Sequence, residues 1–265
     1  MSIVVAYILY VIIGAAAGIL GGLLGIGGGV ITVPALLVMF HYLDFPQPYV
    51  MQMAIATSLA AMILNTAAAT WAHNKRGAVL WPIFKKMVPG FIAGSILGAL
   101  IAVWFSGVFL EVIFGLFLCA LAFFFYRQKA IKIGTQKVPS MAKLSFYSCC
   151  IGALSNLMGI GGGTMVVPLL SSFKISDKNA IGTSAASTLI TTILGTISYL
   201  ILGWGVIPFG EAIGFIDLPA FFIIGLVAFF LAPVGAKLTN EISQEKVRKI
   251  FAFVLVLTGL SLIFL

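Results

Sequence analysis

Long apolar runs separated by short polar connections dominate the chain. Six runs are uninterrupted, at residues 50–71, 87–105, 108–126, 180–202, 218–236 and 247–265. Each is close to the twenty or so apolar residues that a membrane-crossing helix needs, so the pattern predicts six such helices. Two further apolar stretches, 4–40 and 144–171, are interrupted by glycine clusters: Gly25-Ile26-Gly27-Gly28-Gly29 and Gly159-Ile160-Gly161-Gly162-Gly163. Trp71, Trp104 and Trp204 fall at span ends, where an interfacial aromatic belt places them.

The charges orient these runs. All 15 basic residues lie in four connections. Lys75, Arg76, Lys85 and Lys86 form the first, and Arg127, Lys129, Lys132, Lys137 and Lys143 the second. Lys174 and Lys178 form the third, and Lys237, Lys246, Arg248 and Lys249 the fourth. The connections at 41–49, 105–110 and 203–217 contain none; they hold Asp44, Glu211 and Asp217, with Glu111 just beyond the middle one. The positive-inside rule puts the four basic loops in the cytoplasm. Segment 144–171 then starts and ends on one side, as a broken hairpin turning at its glycines. The same logic makes 4–40 a hairpin entered from outside.

The expected fold is an all-α polytopic membrane protein with two inverted repeats. Each repeat is a broken, re-entrant glycine-interrupted unit plus three transmembrane helices. The first occupies residues 1–126, a basic cytoplasmic linker 127–143, and the second 144–265. Both termini are expected outside the cytoplasm, in a plasma (inner) membrane protein. A continuous span through 144–171 is the competing topology; it makes the halves parallel and exports several basic loops. Residues 4–24 are themselves long enough to cross.

The halves are related in sequence. Residues 25–34 read GIGGGVITVP and residues 159–168 read GIGGGTMVVP, seven identities in ten at an offset of 134. Residues 55–60, IATSLA, match 181–186, IGTSAA, at four of six with an offset of 126. The eight-residue change falls in the loop holding Pro46 and Pro48. Interrupted apolar segments at matched positions of opposed repeats point to a secondary transporter with a midplane site.

Composition narrows the class. The chain has 265 residues, 62% hydrophobic and 8% charged, with mean hydropathy +1.19. Soluble domains are nearer a quarter charged, which excludes a cytosolic enzyme, a disordered chain and a nucleic-acid binder. The +8 net charge points to anionic membrane lipid as partner. The first 20 residues lack Lys and Arg, so no charged region of a cleavable signal precedes the first run. Cys119, Cys149 and Cys150 form no CxxC pair and read as small buried apolar residues. No metal or cofactor motif is present, and nothing in the pattern sets an oligomeric state.

The doubled GxGGGxxxxP element, the Thr-Ser pair on the following helix and the chain length resemble the TauE/SafE family of membrane transporters. The likeness spans the whole chain. It implies transport, as an exporter, of small sulfur-containing anions such as sulfite, sulfoacetate and related sulfonates.

The residues offer matching chemistry. Gly27, Gly28, Gly29 and Gly161, Gly162, Gly163 let the backbone leave helical geometry. The helices that follow then present N–H groups and a positive dipole end to an anion. A purely structural hairpin turn is the competing reading. Gly14, Gly18 and Gly22, spaced by four, read as close helix packing. Pro34 and Pro168 each remove an intrahelical hydrogen bond and stand as a kink or a hinge. Thr57, Ser58, Asn65, Asn156, Thr183 and Ser184 are the candidate neutral donors, with interhelical bonding as their alternative role. Thr57 with Asn65, and Thr183 with Thr191, are eight apart and share a helix face. No charged residue falls at a span centre, which disfavours a carboxylate-based proton pump. Na⁺ coordination by carbonyls at the breaks stays open, as does a passive anion channel or a non-transporting subunit. His41 and His73, at span ends, read as interfacial anchors.

Overall fold

The computed structural model describes residues 3–127, 139–206, 211–238 and 244–263. Lys129, Lys132 and Lys137 of the expected linker lie outside the described residues. Ten α-helices follow one another in the described chain. The first five are α1 (Ile3–Leu24), α2 (Gly29–Tyr42), α3 (Val50–Lys75), α4 (Trp81–Trp104) and α5 (Gly107–Arg127). The second five are α6 (Met141–Met158), α7 (Gly163–Ser172), α8 (Asp177–Leu202), α9 (Leu218–Leu238) and α10 (Gln244–Ile263).

Among the described residues, six helices are long and apolar enough to cross a membrane: α1, α3, α4, α5, α8 and α9. The 22 residues of α1 rise about 33 Å at 1.5 Å per residue. This matches the ~30 Å hydrocarbon core, so α1 by itself is long enough to cross. With 14 and 10 residues, α2 and α7 are too short to cross at that rise.

Both glycine clusters break the helix where the pattern placed the break. Leu24 ends α1 and Met158 ends α6. Gly28 (φ 86°) and Gly162 (φ 85°) then cap α2 and α7 in the left-handed region, which a side chain enters only at a cost. Pro34 and Pro168 lie inside the short helices that follow.

The all-helical expectation misses one feature. Two short antiparallel strands, β1 (Ala212–Ile213) and β2 (Ile216–Asp217), pair across Gly214 and Phe215. Gly214 takes φ 60°, as a two-residue hairpin turn requires. Phe215 is fully buried and meets the rings of Tyr49 and Tyr199.

The two sets of five pack with exchanged partners. α1 lies along α9 as α6 lies along α4, and α3 meets α9 as α8 meets α4. α3 and α8 pack together in the middle. Glycine sets the close approaches. A Cβ at Gly14, Gly18 or Gly22 would overlap Ile224, Ala228 or Ala232 of α9. One at Gly90, Gly94 or Gly98 would overlap Ser145, Cys149 or Ala153 of α6. Small residues that admit a neighbouring backbone are what hold helices together in lipid. Cys150 departs from its expected burial and is exposed.

Candidate functional site

The two breaks meet between α3 and α8. Gly27 and Gly161 both abut the same two side chains, Met62 of α3 and Thr188 of α8. Those residues are 126 apart, the offset of the second matched block. Gly29 lies against Gly159 and Ile160, and Gly163 against Gly25 and Ile26. All ten residues of the two GIGGG clusters are buried.

Four pairs of hydrogen bonds repeat across this centre. Ser58 Oγ donates to Gly159 O at 3.2 Å, and Ser184 Oγ to Gly25 O at 3.0 Å. Each therefore ties a helix of one set to the break of the other. Thr57 Oγ1 accepts from Asp217 N at 3.0 Å, and Thr183 Oγ1 from Leu80 N at 2.9 Å. Asn65 Nδ2 donates to Gly27 O at 2.8 Å, as Thr191 Oγ1 donates to Gly161 O. Finally, His73 Nε2 donates to Gly22 O at 3.0 Å and Tyr199 OH to Asn156 O at 2.8 Å. Every pair obeys the offsets 134 and 126, apart from Leu80 and Asp217, which are 137 apart.

The structure thus brings together Gly27, Gly29, Gly161 and Gly163 with Ser58, Asn65 and Ser184. Thr57 and Thr183 face the starts of α9 and α4. Asn156 faces α4 and α8, donating to Ser95 O and Thr191 O at 3.3 and 3.2 Å. The polar side chains of α3 and α8 chiefly serve carbonyls: helix ends leave C=O groups without intrahelical partners, and these hydroxyls and amides supply donors. On the other side of each break, Gly28 O accepts from Ile31 N and Thr32 N, and Gly162 O from Met165 N and Val166 N. The N–H groups of Gly29, Val30, Gly163 and Thr164 precede those first bonds and have no intrahelical acceptor. Both short helices therefore aim donors and a positive dipole end at the break.

Several buried polar atoms near the breaks have no hydrogen-bond partner. They include Asn65 Oδ1, Asn156 Oδ1, Ser95 Oγ, Ser155 Oγ and Thr164 Oγ1. Thr164 also lines a cavity of about 280 Å3 with Phe117, Leu121, Phe124, Met165 and Pro168. A second cavity of about 250 Å3 lies among Ala60, Ile63, Thr196, Leu200, Ile216 and Phe221. Among the described residues, no three His, Cys, Asp or Glu side chains cluster as metal ligands.

Two residues differ from their sequence reading. His73 is 3% exposed and links α3 to α1 through its bond to Gly22 O. Asp217, read only as a loop charge, is 6% exposed. Its Oδ2 caps α9 by accepting from Ala220 N at 2.9 Å. Burial pushes its carboxyl above the usual range; the Ala220 N–H pulls it back and the Glu211 charge raises it further. The signal was legible: an acidic residue two places before Pro219, at the head of an apolar run, is a helix-start signature.

The family described as sulfite exporter TauE/SafE matches residues 10–262. A probable membrane transporter protein of Haemophilus influenzae is 30% identical, with 96% of this chain and 97% of that protein covered. One from Methanocaldococcus jannaschii is 27% identical over 96% and 94%, and YunE of Bacillus subtilis 25% identical over 98% of each. No solved structure gives a significant match. Ten helices among the described residues, six of them of crossing length, and a family match over residues 10–262 lead to one assignment: the chain belongs to the TauE/SafE family of membrane transporters.

Proposed function

We propose that the chain exports a small sulfur-containing anion, sulfite or a sulfonate, by alternating access. Two oppositely oriented repeats, 1–126 and 144–265, rock about a site between the breaks. The observation that carries this reading is the pairing of the breaks around Met62 and Thr188, with the N-termini of α2 and α7 supplying donors. The family name supplies the sulfur chemistry. Gly27, Gly28, Gly29, Gly161, Gly162 and Gly163 give the anion backbone N–H groups. Ser58, Asn65 and Ser184 hold its carbonyls, while Thr57, Asn156 and Thr183 shape the site by fixing the helices around it. Pro34 and Pro168 let the short helices bend.

The mirrored ties suit such a cycle. Ser58 to Gly159 and Ser184 to Gly25 bridge the two sets of helices. Breaking one tie and keeping the other opens the site to one side only. Both ties are formed here and the breaks are buried, as in an occluded state.

The test is thermal stabilisation of the purified protein by sulfite, sulfate, sulfonates and carboxylates, with chloride as control. It is paired with efflux from loaded vesicles. A ligand bound only by the folded state raises its stability by mass action. Selective stabilisation and saturable efflux of a sulfur anion are expected. No response to any sulfur anion sinks the substrate assignment. Efflux without counterflow exchange replaces alternating access by a channel.

A further inference from the structure

The two breaks match in backbone but not in the side chains behind them. Offset 134 pairs Gly21 with Ser155 and Gly22 with Asn156. At Gly21 a Cβ would lie 2.6 Å from Asn65 Nδ2 and 3.0 Å from Gly28 N, so no side chain fits there. Ser155 occupies the same place beside the second break. Its side chain is fully buried and its Oγ has no hydrogen-bond partner. That is unusual for a helical serine, whose proton normally goes to the carbonyl one turn back.

Space follows the same asymmetry. A Cβ at Gly28 would meet Ala17 O at 2.7 Å. At Gly162 the nearest atoms would be Ser155 Oγ at 3.2 Å, Ile151 Cγ2 at 3.5 Å and Thr191 Oγ1 at 3.6 Å. At Gly25, Gly27, Gly28, Gly29, Gly159, Gly161 and Gly163 the nearest atom is 2.9 Å away or closer. Of the glycines in the two clusters, Gly162 is the least crowded, and its nearest neighbour is the Ser155 hydroxyl. It caps α7, whose first N–H groups, Gly163 and Thr164, lack intrahelical acceptors. Thr191 has spent its proton on Gly161 O, which leaves Ser155 as the side-chain donor at this spot.

We propose that the anion is anchored asymmetrically, with one oxygen held at Gly162 by the Ser155 hydroxyl and the N–H groups that start α7. This rests on the anion-transport reading above and names the residue that gives the site its polarity. The first break supplies shape and field, without a matching hydroxyl. Ser155 is then a specificity-determining residue: it selects a ligand that presents an acceptor oxygen there.

Ser155→Ala separates this role from a structural one. Removing a hydroxyl that has no partner breaks no bond in the ligand-free protein, so its melting temperature should equal or exceed that of the wild type. The sulfite concentration giving half-maximal stabilisation should rise about tenfold or more, the usual effect of losing a hydrogen bond to a charged group. Ser155→Gly, which copies Gly21, should raise that concentration alike, with a melting temperature lowered by glycine's poor helix propensity. Ser171→Ala removes another buried hydroxyl without a partner, away from the break, and should respond to sulfite as the wild type does. A wild-type sulfite response in Ser155→Ala overturns the anchor and leaves the transport reading standing. So does a lowered melting temperature of Ser155→Ala without sulfite, since it gives Ser155 a structural partner. No sulfite response in the wild type removes both.

Discussion

Ser184→Ala probes the ties across the centre directly. Ser184 is fully buried and its Oγ lies 3.0 Å from both Gly25 O and Gly163 O. Gly163 O sits in the first turn of α7 and accepts an intrahelical bond regardless, so it loses little. Gly25 O lies in the break, where no helix supplies a donor. After the substitution it keeps only Thr188 Oγ1 at 3.5 Å, at the outer limit of a hydrogen bond. A buried acceptor left in this state costs about 1–3 kcal/mol, and the cavity, one oxygen in size, adds little. Ser58→Ala removes the mirror bond to Gly159 O and belongs in the same range. Reversible denaturant unfolding in detergent micelles reads both. Independent ties give a double mutant equal to the sum of the singles within about 0.5 kcal/mol; a shortfall shows that they act as one unit. Wild-type stability in both single mutants would refute the claim that these hydroxyls hold the breaks.

Two further outcomes follow from the geometry. Burial raises the Asp217 carboxyl, so the folded protein binds its proton more tightly than the unfolded chain does. Its stabilising contribution is then complete at acid pH and declines as pH rises from the ordinary carboxylate value through the folded one. Asp217→Asn keeps a capping oxygen and should be more stable than wild type at neutral pH, the gap closing below about pH 4; a constant gap across a thermal-melt pH series rejects this. For the glycines, Gly77 has φ 63° and open space around a Cβ, whereas Gly28 has φ 86° and Ala17 O at 2.7 Å. Gly77→Ala should cost about 1–2 kcal/mol from left-handed strain alone. Gly28→Ala should exceed it by about 1–3 kcal/mol of overpacking, and equal losses would contradict the close approach.

Much of this was written in the hydrophobic pattern. The breaks fall at the glycines because only there is the apolar run without side chains, and left-handed φ follows from that. The matched blocks anticipated which residues would be equivalent, and Ser58 and Ser184 indeed make equivalent bonds. A third register, 137, pairs Pro82 with Pro219 and Gly98 with Gly235 but rests on too few identities to stand out. The destinations of the hydroxyls were not legible. A serine in a helix gives its proton to whichever carbonyl packing brings close, and Ser58 meets one 101 residues away. His73 was misread for the same reason: whether a span-end histidine faces lipid or protein depends on the helix beside it, here α1, whose Gly22 carbonyl it meets.

A broken helix exposes two kinds of group, carbonyls from the helix that ends and N–H groups from the helix that begins. The structure treats them differently. Carbonyls of Gly25, Gly27, Gly159 and Gly161 each receive a donor from Ser184, Asn65, Ser58 or Thr191. The N–H groups heading α2 and α7 receive no such side-chain acceptor among the described contacts. The break carbonyls are thus satisfied and the helix-start donors spared, without a lysine or arginine and its desolvation cost in lipid. On the transport reading proposed above, such a site would take an anion that can later leave, because no fixed full charge holds it. It also sets a condition on cation coupling. A Na⁺ ion coordinated by the break carbonyls would first displace the serine, asparagine and threonine donors, loosening the ties that join the two sets of helices. Coupling by that route predicts that Na⁺ destabilises the occluded form, whereas an anion binding the spared N–H groups leaves those ties intact.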